Sequence, residues 1–128
     1  KVIIDPSNPI APDASGGFKK IIGDKESAGQ LNAAIIPKGA KFVKALGTLG
    51  ASSLANAAFQ SPEKAVLFYA TGDNTVDEDI EHLIKDIGFD AVKVGGFDQS
   101  IRIEVFGDLH EFGALGRVVT KTEAVAKL

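Results

Sequence analysis

Four short segments of the sequence carry residue types that hold ligands: Asp5-Pro6-Ser7-Asn8-Pro9, Gly47-Thr48-Leu49-Gly50, Thr71-Gly72-Asp73-Asn74 and Gly95 through Ser100. Each follows an apolar run. Glycine allows a ligand to approach the backbone closely, and Ser, Thr, Asn and Asp supply hydrogen bonds. Tight turns use the same residues for their own geometry. What favours a ligand crevice is the recurrence of this chemistry at one kind of position, the carboxyl end of a strand.

Other constellations are weaker. Asp5 and Asp73 both follow strands, and clustered carboxylates suit a hard cation. A receiver-type phosphoacceptor site would need paired acids at the first strand end and an acceptor Asp near the middle, and neither is clear. Asp73-Asn74 before Thr75 reads more simply as a turn and helix cap. His82 stands four residues from Glu78 and from Asp86, the spacing of a solvated ion-pair ladder on a helix. His110, within "GDLHEFG", lacks metal-ligand spacing and reads as a surface or interface residue. Lys44 and Arg102 could attract a ligand phosphate or be solvent-exposed charges. With no Cys, thiolate nucleophiles, disulfides and Cys-ligated zinc are excluded. A net charge of −3 argues against a nucleic-acid partner, since no basic stripe meets the phosphates. No apolar run approaches the roughly 18 residues of a membrane span. Together these features suit a cytoplasmic globular protein with a small-molecule partner.

The elements that must position the four segments follow from periodicity. Val2–Asp5 is a β-branched apolar run, hence a strand. "PSNPIAPDASGGFKKIIGDKE" is rich in Pro and Gly and reads as a long functional loop. Ser27 and Gln30 have capping-box spacing before a helix whose Leu31, Ala34 and Ile35 share a face. A strand follows over 41–46, then a helix in "SSLANAAF" capped by Ser52 or Ser53, then the clearest strand, 65–71. Thr75 and Glu78 repeat the capping-box spacing before a helix with Val76, Ile80, Leu83, Ile84 and Ile87 on one side, ending at Gly88. "DAVKV" is a strand. Ile101, Val105, Leu109, Phe112 and Val119 predict one long helix, although Gly107, Gly113 and Gly116 interrupt it. Alternating strands and helices predict an α/β domain with a parallel sheet flanked by helices, ligands meeting one edge.

"KVIIDPSNP", "GAKFVKALGTLGASSL", "LFYATGD", "LIKDIGFDAVKVGG" and "SIRIE" occur in an order that resembles NADP-dependent deazaflavin oxidoreductase-like proteins, a family of dinucleotide-binding reductases. The resemblance runs from Lys1 to about Gly116 and implies a partial Rossmann-like sheet. It implies that Asp5, Ser7, Asn8 and Pro9 border the nicotinamide of NADP. Leu46, Gly47, Thr48 and Leu49 would lie beside the flavin- or deazaflavin-type ring that exchanges hydride with it, and Gly95, Gly96 and Ser100 would face the substrate. Deazaflavin-using members carry His at the position of Gly47. Family members also begin with a strand, a G-x-G-x-x-G turn and a helix that hold the pyrophosphate, and "GALG" at Gly113–Gly116 has the wrong spacing for it.

The resemblance thus implies that residues 1–98 are the second half of a Rossmann-like reductase domain and residues 99–128 a helical segment. With no initiator Met and a first strand that reads as a sheet interior, the chain is expected to continue upstream. Alone it should bind NADP weakly or not at all and be inactive. The apolar stripe of the last helix predicts a homodimer, or else covers its own sheet. A non-catalytic Rossmann-like binding or dimerisation module is the alternative function.

Overall fold

Val66–Ala70 (β5) is apolar at every position, and in the computed structural model, which describes residues 1–128, it is buried throughout. It lies inside a four-stranded sheet with Val2–Asp5 (β1), Lys41–Ala45 (β4) and Asp90–Gly95 (β6), in the order β1-β4-β5-β6. Alternate residues feed two cores. Leu67 and Tyr69 join Val43, Ala45 and the apolar side of a helix over Asp77–Asp86 (α3). Val66, Phe68 and Ala70 join Val92 of β6 and Ile103, Leu109, Val119 and Ala124 from the last thirty residues. This layering, with a mostly parallel sheet between helices, is Rossmann-like. No helix is long and apolar enough to cross a membrane.

The sheet is not wholly parallel. β1 pairs with β4 in parallel, and β5 with β6, but β4 meets β5 antiparallel, with Lys44 opposite Ala70 and Ala45 opposite Tyr69. The connection between them, through a six-residue helix over Ala51–Asn56 (α2), is a direct return that needs no crossover. Strand–helix–strand order therefore did not enforce parallel pairing here. The consequence falls on the loops: those after β1 and β4 lie at one end of the sheet, those after β5 and β6 at the other.

The long loop contains a hairpin, Ile10–Pro12 (β2) with Phe18–Lys20 (β3), closed by Gly16 and Gly17 in left-handed conformations. A helix over Ala28–Ala33 (α1) is capped by Ser27, whose Oγ accepts from Gln30 N at 3.1 Å. The expected apolar face of α1 is not covered: Leu31 is 44 % and Ile35 80 % exposed. Nor does Thr75 cap α3. Asp73 accepts from Thr75 N at 2.9 Å and starts a 3-10 turn that leads into α3, whose Val76, Ile80 and Ile84 side is buried. Neither Ser52 nor Ser53 caps α2, since its N-cap position is Gly50.

The long terminal helix does not form. Only Ser100–Ile103 (α4) and Lys121–Val125 (α5) are helical, with turns between. Glycine explains the break. A Cβ on Gly107 would meet Ile101 and Arg102 carbonyl oxygens at 2.4 Å, and one on Gly113 would meet Gly107 O at 1.9 Å. α5 is held by a full capping box between Thr120 and Glu123, a T-x-x-E signal that was present in the sequence. The stripe expected to pair two subunits is covered only in part within the chain: Val105 and Leu109 are buried, Leu109 in the second core, while Ile101 is half-buried and Phe112 is exposed.

The two descriptions of this segment give opposite signs for one substitution. In a helix, Gly113→Ala would stabilise by about 1 kcal/mol. In the observed turn it overpacks a backbone contact and should cost about 1–3 kcal/mol or more, read as a lower urea midpoint.

Candidate functional site

At the end of the sheet where β1 and β4 finish, an ammonium group is buried between two carboxylates. The Lys44 side chain is 2 % exposed, with Asp5 at 3.2 Å and Glu104 at 3.7 Å. Lys44 was expected to be a surface or phosphate-attracting charge, but its place on an inward strand position takes it under the loop. There Nζ also donates to Ser7 O. Asp5 accepts from Ser7 N at 2.8 Å and Asn32 Nδ2 at 2.9 Å. Burial by itself would raise the Asp5 pKa, yet the bonds from Ser7 and Asn32 and the charge of Lys44 outweigh it and hold the carboxyl below its usual value. Glu104 accepts from Ala28 N at 2.7 Å and Gly29 N at 2.8 Å, clasping the start of α1.

Asn8 makes the second clasp. Its Nδ2 donates to Gly47 O at 3.0 Å while Oδ1 accepts from Val105 N at 2.8 Å, tying the loops after β1, β4 and α4. Gly47 is required here because a Cβ would stand 2.7 Å from Pro6 O. A His at that position has no room. The imidazole that meets this turn is His110, which is buried rather than on the surface. Its Nε2 lies 2.9 Å from Gly47 O and its Nδ1 accepts from Phe112 N at 3.0 Å, which sets the proton on Nε2. Burial pushes the His110 pKa down, against the smaller opposing effects of the Gly47 bond and Glu111, so the ring is neutral near pH 7. Glu111 accepts from Gly50 N and, at 2.8 Å, from Ser53 Oγ, which supplies the cap that α2 lacks locally.

Between these clasps is a cavity of about 470 Å³ lined by Asn8, Ile10, Phe18, Leu49, Gly50, Ala51, Val105, Phe106, His110 and Phe112. Seven of the ten are hydrophobic, and the two polar side chains, Asn8 and His110, already hold the fold together. Phe18, Phe106 and Phe112 are 60, 50 and 60 % exposed, so three phenylalanines rim one opening. Phe106 has φ +73°, and Leu46, next to Gly47, has φ +71°. Such backbone in a bulky residue costs on the order of 1–2 kcal/mol and marks places where surrounding bonds dictate the chain path.

The structure brings Asp5, Ser7, Asn8, Pro9, Leu46, Gly47, Thr48 and Leu49 to this one end, but only Asn8 and Leu49 line the cavity. Thr48 is buried, its Oγ1 without a protein partner. The single crevice expected from four loops is not formed. Gly95 and Gly96 lie at the opposite end because β6 runs with β5, against β4. Phe97, just beyond them, packs edge-on to Phe42 at the start of β4, with ring centroids 5.2 Å apart. Ser100 is wholly buried against Gly29 of α1. Asp73 is likewise at the far end from Asp5, and no cluster of His, Asp and Glu is placed to hold a metal. Arg102 pairs with Asp108 at 3.0 Å, and His82 is exposed as expected. Glu104, Phe106, His110 and Phe112 were missed as site residues. The glycine density of "FGDLHEFGALG" was the one signal that this segment was a shaped loop.

No family model matches the chain, and no curated protein matches it. Several solved structures are similar to it, among them the following two. The hypothetical protein SMa0349 from Sinorhizobium meliloti aligns with a TM-score of 0.74 and 23 % identity over 94 % of this chain and 55 % of that one. A "putative F420-dependent NADP-reductase" from Arthrobacter sp. FB24 aligns with a TM-score of 0.64 and 23 % identity over 77 % of this chain and 45 % of that one. At this identity the likeness is one of fold: this chain has a mixed α/β, Rossmann-like fold and spans about half the length of each neighbour.

Two outcomes follow for stability. Lys44→Met would leave two carboxylates facing each other in a buried site and should lower the unfolding free energy by about 3–5 kcal/mol. Asp5→Asn in that background should recover part of the loss. For pH, the folded state holds Asp5 below 3.8 and His110 below 6.5. Both groups therefore contribute stability that is present above those ordinary values and is lost as pH falls through the folded ones. Urea midpoints should decline on acidification from pH 7, and His110→Gln should remove the upper part of the decline. A midpoint constant down to about pH 4 would contradict this.

Proposed function

We propose that this chain is the acceptor side of an NADP-dependent oxidoreductase that transfers hydride between NADP(H) and a flavin- or deazaflavin-like ring. The observation that carries the reading is the apolar, phenylalanine-rimmed cavity whose polar side chains are already bonded within the fold. Hydride exchange between two rings asks the protein for orientation and exclusion of water, not for a nucleophile or a free acid. A cavity of about 470 Å³ suits a planar tricyclic ring. The likeness to a protein described as an F420-dependent NADP-reductase supports the pairing of these two cofactors.

The residues present fit a planar ring and do not fit a dinucleotide pyrophosphate. No G-x-G-x-x-G turn feeds a helix, and Lys44, the cation under the loop after β1, is buried and paired. We therefore assign the pyrophosphate to a part of the protein that adds to the outer edge of β1. That edge has no strand partner. Val2 (38 %), Leu31 and Ile35 leave apolar surface open on and near this flank.

Two measurements test the reading. Calorimetry should detect no submicromolar NADP binding by residues 1–128 alone. The full-length protein should oxidise NADPH with a flavin or deazaflavin acceptor, and absence of that turnover with every such acceptor would overturn the assignment.

A further inference from the structure

Phe106 is set by the fold where it helps the fold least. Its ring is half exposed, and its backbone has φ +73°, a conformation that glycine adopts without strain. The surrounding bonds leave it no alternative path. Val105 N donates to Asn8 at 2.8 Å, Gly107 N to Glu104 O at 2.8 Å, and Leu109 N to Arg102 O at 2.9 Å. The strain is therefore fixed by bonds on both sides, and an exposed aromatic ring is what it presents. Phe18, on the β2–β3 hairpin, and Phe112, packed over Gly50, reach the same cavity from two other segments.

We propose that Phe106, Phe18 and Phe112 form an aromatic clamp on the planar ring of the acceptor, and that Phe106 is the residue that sets affinity for that ring. This rests on the reading of the cavity as the acceptor site. Asn8 and His110 have each polar atom engaged within the protein. Recognition consequently comes from stacking and shape, not from reading the polar edge of the ring. Aromatic stacking tolerates different rings because each offers a π-face. The clamp should accept uncharged tricyclic rings without a ribityl phosphate.

The test is titration of the full-length protein with lumiflavin, a bare ring, followed by calorimetry, with thermal unfolding of each variant. Phe106→Ala should weaken lumiflavin binding about ten-fold, and Phe106→Trp should restore it. Phe106→Gly should weaken binding as much without lowering the melting temperature, because glycine relieves the left-handed backbone. That separates the ring's role from a general loss of folding. Wild-type affinity in both Phe106→Ala and Phe106→Gly would overturn the clamp. So would failure of the folded wild-type protein to bind lumiflavin, even if NADPH oxidation proceeds with another acceptor. Conversely, Phe106-dependent binding without NADPH oxidation would leave the clamp standing and overturn the reductase reading.

Discussion

A buried ammonium group cannot be left alone. Lys44 projects from an interior strand, and removing its charge from water has to be offset by the carboxylates and carbonyl it meets. That requirement brings Asp5 at the end of β1 and Glu104 after α4 to the same point. Since Glu104 also holds the first amides of α1, one charge connects four segments far apart in sequence. The left-handed residues Leu46 and Phe106 each stand two residues beyond a member of that connection, Lys44 and Glu104.

The polar residues of the site thus have a structural task, and the space they enclose is left to hydrocarbon. Asn8 bridges two loops, His110 braces Gly47 from the other side, and Glu111 caps α2. A site built this way offers no activated nucleophile and no free proton donor. What it offers is a shaped apolar opening beside a rigid frame, which suits chemistry carried by cofactor rings.

The four strands of the main sheet were legible as short apolar runs bounded by turn residues, and α3 through its periodicity, whereas the β2–β3 hairpin was read as loop. The direction of β5 was not. Parallel and antiparallel neighbours can share the same local pattern, and only the β4–β5 pairing decides which loops share an end. The "SNP" loop was recognised as important, but Ser7 and Asn8 bond to Lys44, Gly47 and Val105, and of these two only Asn8 lines the cavity. The terminal segment misled because Ile101, Val105, Leu109 and Phe112 fall at helical spacing by coincidence. The close backbone approaches at Gly107 and Gly113 decide its path instead. His110 and Glu104 were invisible as buried groups because their partners, Gly47 and the start of α1, are more than sixty residues away.

The most direct measurement is amide chemical-shift mapping of the protein during titration with riboflavin. If the cavity at the ends of β1 and β4 is the acceptor site, the perturbed amides will cluster at Leu49–Ala51, Val105–Gly107, Phe112 and the Phe18 strand. Perturbations centred on Gly95–Gln99 at the opposite end of the sheet, with the phenylalanine-rimmed opening silent, would contradict it.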